Sequence, residues 1–321
     1  MRATRAARPD NRRIFSRQER NMFVIFGASG HVGQATVTAL RAAGHPVRAV
    51  LRDSRDRERF AQLGCDVAIA DLADPRAVAA ALDGAHAVQM LCPVPTRDAD
   101  PAATMARTIE VAVEALGAHP PDVLLALSDY GAELEGNTGI TRVFRDFEAR
   151  LKTVPTQLTL LRSAEHLQNW ARMLPVALAT GALPSLHHPV DRMFPAVWAP
   201  DVGEIAAQLL TEPDAPASTL RIVSVEGPCR VSVRDIAAAL GAAAARDIAA
   251  HPLPRDAWTP TLLRAGLSAR HAELIVDLYD VHNAGRIDVE RGSERRFGTT
   301  MPADALAALL HMHARAQAAR T

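Results

Sequence analysis

The sequence predicts a doubly wound α/β fold, a parallel sheet covered by helices on both faces, with a smaller helix-rich unit after it. Three observations carry that expectation. Short apolar runs at residues 23–26, 46–51, 67–70, 87–91 and 123–127 alternate with stretches of helical periodicity. These runs are largely continuous in hydrophobicity, as strands covered on both faces must be. A glycine-rich turn leaves the first run directly and opens the first helix.

The elements follow in order. After the strand at 23–26, Val32, Thr36, Val37 and Leu40 recur at helical spacing, and Gly44 supplies a stop. Residues 46–51 form a second strand, 55–63 a helix, 67–70 a third strand and 75–82 another helix. The strands at 87–91 and 123–127 are separated by a long helix over 102–116, and a helix at 142–151 leads into a sixth strand at 157–161. Such alternation requires right-handed crossovers and hence a parallel sheet. Proline and histidine crowd 183–200, which predicts loops. Asp201 is expected to cap a helix over 202–210, and 220–225 reads as a strand. The remainder is helical, at 236–240, 261–265, 271–279 and 303–314. The expected division is a sheet domain over 22–163, completed by about 196–225, with a smaller substrate-binding unit built from 164–195 and 226–321.

Composition excludes several classes of function. Lys+Arg and Asp+Glu are 36 each, so no positive excess is available to track a phosphate backbone, and nucleic acid is not an expected partner. Cys65, Cys92 and Cys229 are dispersed and odd in number, which gives neither a disulfide framework nor a zinc site. His187-His188 and His311-x-His313 are poor metal ligands. The second pair lies about 200° apart around a helix, and no metal is expected. No apolar run reaches the roughly 18 residues that a membrane span needs. The first 21 residues hold seven arginines against Asp10 and Glu19, and read as a disordered arm or a start placed too early. Arg12-Arg13 superficially suggests twin-arginine export. The apolar stretch that follows, however, runs straight into the glycine turn instead of a cleavage site. A reducing cytoplasm is the expected compartment.

The turn Gly27-Ala28-Ser29-Gly30-His31-Val32-Gly33 has the spacing and the strand–helix context of a dinucleotide-binding fingerprint. The first glycine allows the bend, the second lets backbone approach a pyrophosphate, and the third lets helix and strand pack closely. Phosphate charge then meets free N–H groups at the positive end of the helix, from the stretch that includes Ser29, His31 and Val32. Arg52 ends the second strand, where the adenosine ribose would lie, and arginine there suits the 2′-phosphate of NADP(H) over NAD(H). Asp53 beside it is the competing, NAD-like signal. Asp71-Leu72 closes the third strand and is placed either to meet the adenine or to cap the next helix.

In a doubly wound sheet the ligand lies beyond the carboxyl ends of the strands. That selects Cys92-Pro93, Ser128-Asp129-Tyr130 and Arg162-Ser163 as coenzyme or acceptor contacts. Ser128, Tyr130 and Asn169 are the candidates beside the nicotinamide. Tyr130 could stack on an aromatic acceptor or hydrogen-bond to it. Glu165 and His166 start the next helix and either face the cleft or serve as ordinary helix-end residues, while Cys92 is read as packing.

Several blocks together resemble the NmrA-like family of atypical short-chain dehydrogenases. They are Gly27-x-x-Gly30-x-x-Gly33, the second strand ending in Arg52, Asp71-Leu72-x-Asp74, Glu148-x-x-Leu151, Leu158 to Arg162 with Asn169, Pro200-Asp201-Val202-Gly203, Leu278-Tyr279-Asp280 with Asn283-x-Gly285, and Gly298-Thr299-Thr300. The resemblance, over nearly the whole chain from Met22, implies an NADP(H)-carrying domain, a small C-terminal unit and a cleft between them. Some members of that family reduce quinones or azo compounds; others bind the nicotinamide coenzyme and regulate a protein partner.

The short-chain dehydrogenase route through Tyr-x-x-x-Lys is closed here. Lys152 is the only lysine, with Glu148 four residues before it, and neither Tyr130 nor Tyr279 has a lysine four residues on. Related quinone reducers carry histidine or lysine one turn before the glutamate that matches Glu148; Phe144 stands there instead. Reduction of a quinone-like or other electron-poor acceptor by NADPH, without a Tyr–Lys pair, is therefore the leading expectation, since the product phenolate can take its proton from water. A non-catalytic redox sensor with a protein partner is the alternative.

Overall fold

The computed structural model describes residues 21–212 and 220–318. Eight parallel strands form the main sheet, in the order β12-β10-β6-β5-β4-β1-β2-β3. The strands and helices of its first half run β1 (Met22–Phe26), α1 (His31–Ala42), β2 (Val47–Leu51), α2 (Arg57–Gln62), β3 (Asp66–Ile69), α3 (Pro75–Leu82), β4 (Ala85–Leu91), α4 (Pro101–Ala118), β5 (Val123–Asp129), α5 (Thr141–Leu151) and β6 (Gln157–Ser163). The chain reverses direction across the sheet between β1 and β4, which opens a crevice at their carboxyl ends. These boundaries differ from the sequence-based ones by only a few residues, because each strand is a buried apolar run between turn residues. The arm expected over the first residues falls, but for Asn21, outside the described residues.

Past β6 the chain leaves the sheet. It forms the two-residue β7 (Glu165–His166), a 3₁₀ segment (Leu167–Met173), α6 (Leu174–Thr180), β8 (Ala182–Ser185) and β9 (Ala196–Val197). Glu165 and His166 therefore do not start a helix. They pair in parallel with β9, which lies in a stretch expected to be loop only. The chain then returns through α7 (Ala199–Thr211) and β10 (Leu220–Glu226). It builds α8 (Val233–Ala244), β11 (Ala249–Pro252), α9 (Trp258–Arg264) and α10 (Ala269–Asn283) before β12 (Glu294–Phe297) and α11 (Pro302–Ala318).

Strand β12 corrects the expected division, since it lies within 226–321 yet pairs with β10 in the main sheet. Its sequence Glu-Arg-Arg-Phe has no apolar run because it is an edge strand, where charge guards against further pairing. Asp201 is a second correction. Trp198 occupies the cap position of α7, and the Asp201 carboxylate instead accepts the Thr300 N–H at 2.8 Å and the Thr300 hydroxyl at 2.7 Å. Gly298 permits this approach, since a Cβ there would lie 2.4 Å from an Asp201 oxygen.

Two apolar clusters cover the two faces of the sheet. A third, around Leu167, Trp170, Leu174, Phe194, Ile236 and Leu306, gives the smaller unit its own core. Helix α1 is pinned from behind by α7, where a Cβ on Gly203 would sit 2.3 Å from the Val32 carbonyl. The start of α1 is thus held rigidly at the crevice.

Candidate functional site

The glycine turn is built by three separate constraints. Gly27 has φ +68°, a left-handed conformation that side chains disfavour, and a Cβ there would also press on Leu91. Gly30 occupies the cap position of α1 with no side-chain bond, and its own N–H donates to Gly27 at 2.9 Å. Gly33 packs so closely that a Cβ would lie 2.2 Å from the Gly27 carbonyl oxygen. The first N–H groups of α1 are therefore left without a side-chain cap, beside the exposed Ser29 and His31, an arrangement suited to a pyrophosphate.

At the end of β2, Arg52 and Asp53 differ in their partners. The Asp53 carboxylate is taken by Arg55, whose Nε and Nη2 lie 2.9 and 2.6 Å away and whose backbone N–H donates at 3.1 Å. Those bonds hold its carboxyl down to about 2. Arg52 is exposed and has no side-chain hydrogen bond or ion pair among the described residues. Asp71 bonds the Ala73 N–H at 2.9 Å, while Asp74 caps α3; the capping alternative belongs to Asp74. Leu72 packs partly against the core and Pro93 is exposed. Cys92 is buried, with its thiol pushed up to about 12 by burial, as a packing residue would be.

Ser128 and Arg162 meet in one buried network. The Ser128 hydroxyl donates to Glu148 Oε1 at 2.6 Å, and Arg162 grips both Glu148 oxygens at 2.7 and 2.6 Å. Its remaining nitrogen reaches Glu133 at 3.1 Å and Glu290 at 2.5 Å. Arg162 is only 3% exposed; burial works against its charge, and the surrounding carboxylates outweigh it. Both side chains thus spend their donors inside the protein. Phe144 is half-buried against the apolar cluster beneath α5.

Beyond β5 and β6 lies a cavity of about 650 Å³ between the sheet and the smaller unit. Asp129, Tyr130 and Ser163 form its floor. Glu165, His166, Asn169, Trp170 and Met173 form one wall, and Leu262, Leu267, Leu278, Tyr279 and His282 from α9, α10 and their link form the roof. Tyr130 and Asn169 come together here as expected, whereas Ser128 does not line the cavity. The Tyr130 hydroxyl is buried without a hydrogen-bond partner among the described residues, and burial pushes its phenol upward.

Behind the wall, the His187 ring stacks on Phe194 with centroids 4.2 Å apart, and its Nε2 donates to the Glu165 carboxylate at 3.0 Å. The His166 Nε2 lies 3.1 Å from the Ser163 hydroxyl, and burial holds its ring down to about 4. Asp129 shows the opposite shift. Burial, and then the charges of Glu165, Glu133 and Glu148, push its carboxyl up to about 7. Sequence reasoning placed Asp129 at the right strand end but gave it no role, and it missed Trp170 and His282 altogether. The only available signal was the position of Asp129 between two residues already singled out. Among the described residues, no group of three or more His, Cys, Asp or Glu could hold a metal ion, and no helix is long and apolar enough to cross a membrane.

The model of an NAD(P)H-binding family matches residues 27–182. An NAD(P)H azoreductase of Xenophilus azovorans is 24% identical over 259 residues, covering 80% of this chain and 86% of that protein. The structure of an NADPH-dependent quinone oxidoreductase from Escherichia coli, complexed with NADPH, superimposes with a TM-score of 0.74 at 18% identity, over 90% of this chain and 99% of the other. A mutant NmrA superimposes with a TM-score of 0.63 at 16% identity, over 91% of each chain.

Proposed function

We propose that this chain, an NmrA-like member of the NAD(P)-binding Rossmann superfamily, passes hydride from NADPH to a quinone-like or azo-type aromatic acceptor without a Tyr–Lys pair. One observation carries the reading. The glycine turn, after β1, and the aromatic-walled cavity, beyond β5 and β6, both stand along the carboxyl edge of one parallel sheet, so a dinucleotide lying along that edge points its nicotinamide toward the cavity. The cavity size suits an acceptor of one to three rings. Trp170 and Tyr279 supply flat apolar walls, while Tyr130 and Asn169 supply polar contacts. The azoreductase and quinone oxidoreductase relatives support the same acceptor class.

The coenzyme half of the proposal rests on the α1 N-terminus for the pyrophosphate and on Arg52 for the 2′-phosphate, with Asp53 removed from competition by Arg55. Backbone at Cys92-Pro93 lies along the path between the turn and the cavity floor. Ser128 and Arg162 act by holding the ends of β5 and β6 in register through Glu148. The test is NADPH oxidation by the purified chain with a panel of quinones and azo dyes. Turnover above the coenzyme's background oxidation supports the proposal. Tight NADPH binding with no turnover on any member of the panel would replace it with the sensor reading.

A further inference from the structure

Hydride alone does not complete a reduction, because the acceptor must also gain a proton. Resting on the function proposed above, we propose that Asp129 is the general acid of this site, protonating the acceptor atom next to the one that receives hydride and so admitting azo compounds as well as quinones.

The geometry comes first. Asp129 is the last residue of β5, where the strand runs out under the cavity, and it is half-buried and lines the cavity. Its carboxyl forms no ion pair among the described residues; the Tyr130 backbone N–H beside it is its one hydrogen-bonding influence. The other ionisable groups around it are poor donors for distinct reasons. Burial pushes the phenols of Tyr130 and Tyr279 upward, so both hold their protons. Burial brings His166 and His282 down to about 4, so at neutral pH neither ring has an extra proton to give. Burial opposes the charge on Glu165, but His187 outweighs it and keeps the carboxyl ionised. Arg162 grips Glu148, and burial pushes the Glu133 carboxyl up, but neither glutamate lines the cavity; Arg172, which does, keeps its proton. Among the ionisable groups that line the cavity, Asp129, pushed up to about 7, is the one placed both to hold a proton and to let it go near neutrality, the range where a general acid works best.

The chemistry separates two acceptor types. Hydride addition to a quinone leaves a phenolate, which is stable in water and can be protonated later. Hydride addition to one nitrogen of an azo bond pushes the π pair onto the other nitrogen, giving a strongly basic anion, so the proton must arrive with the hydride. In that step the C4–H bond of the dihydronicotinamide, the N=N π bond and the Asp129 O–H bond would break, and one N–H would form from the hydride and the other from the acid. Asp129 is left as a carboxylate and recovers its proton from solvent. The balance is azo compound, NADPH and one proton giving the hydrazo compound and NADP⁺.

The experiment compares the wild type with Asp129→Asn and Asp129→Glu, using NADPH with either menadione or methyl red. Asp129→Asn should lower kcat on methyl red by about 10²–10⁴-fold and on menadione by less than about tenfold. It should also abolish the loss of methyl red turnover that the wild type shows above about pH 7. Asp129→Glu should restore part of the rate. Independently of turnover, infrared spectra of the coenzyme-free protein should show a protonated carboxyl band that disappears near pH 7 and is missing from Asp129→Asn. Equal, small effects on both acceptors, or no carboxyl titrating near neutrality, would overturn the assignment of Asp129 alone. If the wild type oxidised NADPH with neither acceptor, the oxidoreductase itself would fall and the acid with it.

Discussion

The two halves of the site are made in opposite ways. The coenzyme half is built from backbone: a bend at Gly27, an uncapped helix start and a Gly33 whose missing side chain lets α1 touch the turn. The acceptor half is built from side chains gathered from β5, β7, the 3₁₀ segment, α9 and α10. Backbone geometry tolerates almost no substitution but is indifferent to most side chains around it. The cavity tolerates shape changes but depends on which groups are charged. On the proposed function, the first half decides whether a dinucleotide binds and the second which acceptor is reduced.

Four substitutions sharpen that contrast. The largest effect is expected from Gly33→Val, whose added atoms would enter the Gly27 carbonyl; calorimetric titration should find NADPH binding abolished, with little binding recoverable by other changes in the turn. Glu148→Gln sits between the halves. It leaves the buried Arg162 charge short of its best partner, and denaturant unfolding should report a loss of about 3–5 kcal/mol. Retained stability would show that Glu133 and Glu290 suffice alone.

Smaller and more selective is Arg52→Ala, which should weaken NADPH by about tenfold or more while leaving NADH nearly unchanged, since only the 2′-phosphate is lost. Equal losses would remove Arg52 from coenzyme discrimination. The smallest effect belongs to Tyr130→Phe. Removing a buried hydroxyl that lacks a partner should leave stability within about 1 kcal/mol of the wild type. It should raise KM for the acceptor more than it changes kcat.

A pH-dependent comparison follows from Asp129. Its carboxyl is raised in the folded chain from an ordinary value of 3.8 to about 7. The unfolded chain therefore releases that proton first, and the stability tied to the protonated carboxyl is lost as pH rises through about 7. Asp129→Asn has no such dependence. Its melting temperature should gain on the wild type between about pH 4 and pH 7 and hold a constant lead above that, measured by thermal denaturation across the range.

The contrast also explains what the sequence could show. The glycine turn and the strand ends were legible because each is a local pattern, decided within a few residues. The cavity was not, because Asp129, Trp170 and His282 are far apart in sequence and each looks ordinary where it stands. Edge strand β12 escaped for the same reason, as three charged residues and one aromatic carry no periodic signal. Asp201 was misread because an aspartate before a helix usually caps it. Here Pro200 and Trp198 set the helix start one turn earlier, and Thr300 claims the carboxylate. The position of Asp129 was visible; its acidity was not, since it depends on burial and on three glutamates from other elements.

The return of the chain to the sheet at β12 has one more consequence. Helices α8 to α10 are spliced between β10 and β12, two neighbouring strands of the same sheet, and Asp201 fastens the segment beyond. The roof of the cavity cannot peel away as an independent lobe without drawing an edge strand out of register. Heating should then melt roof and floor in one cooperative step, giving a single calorimetric peak from a chain that contains three apolar clusters.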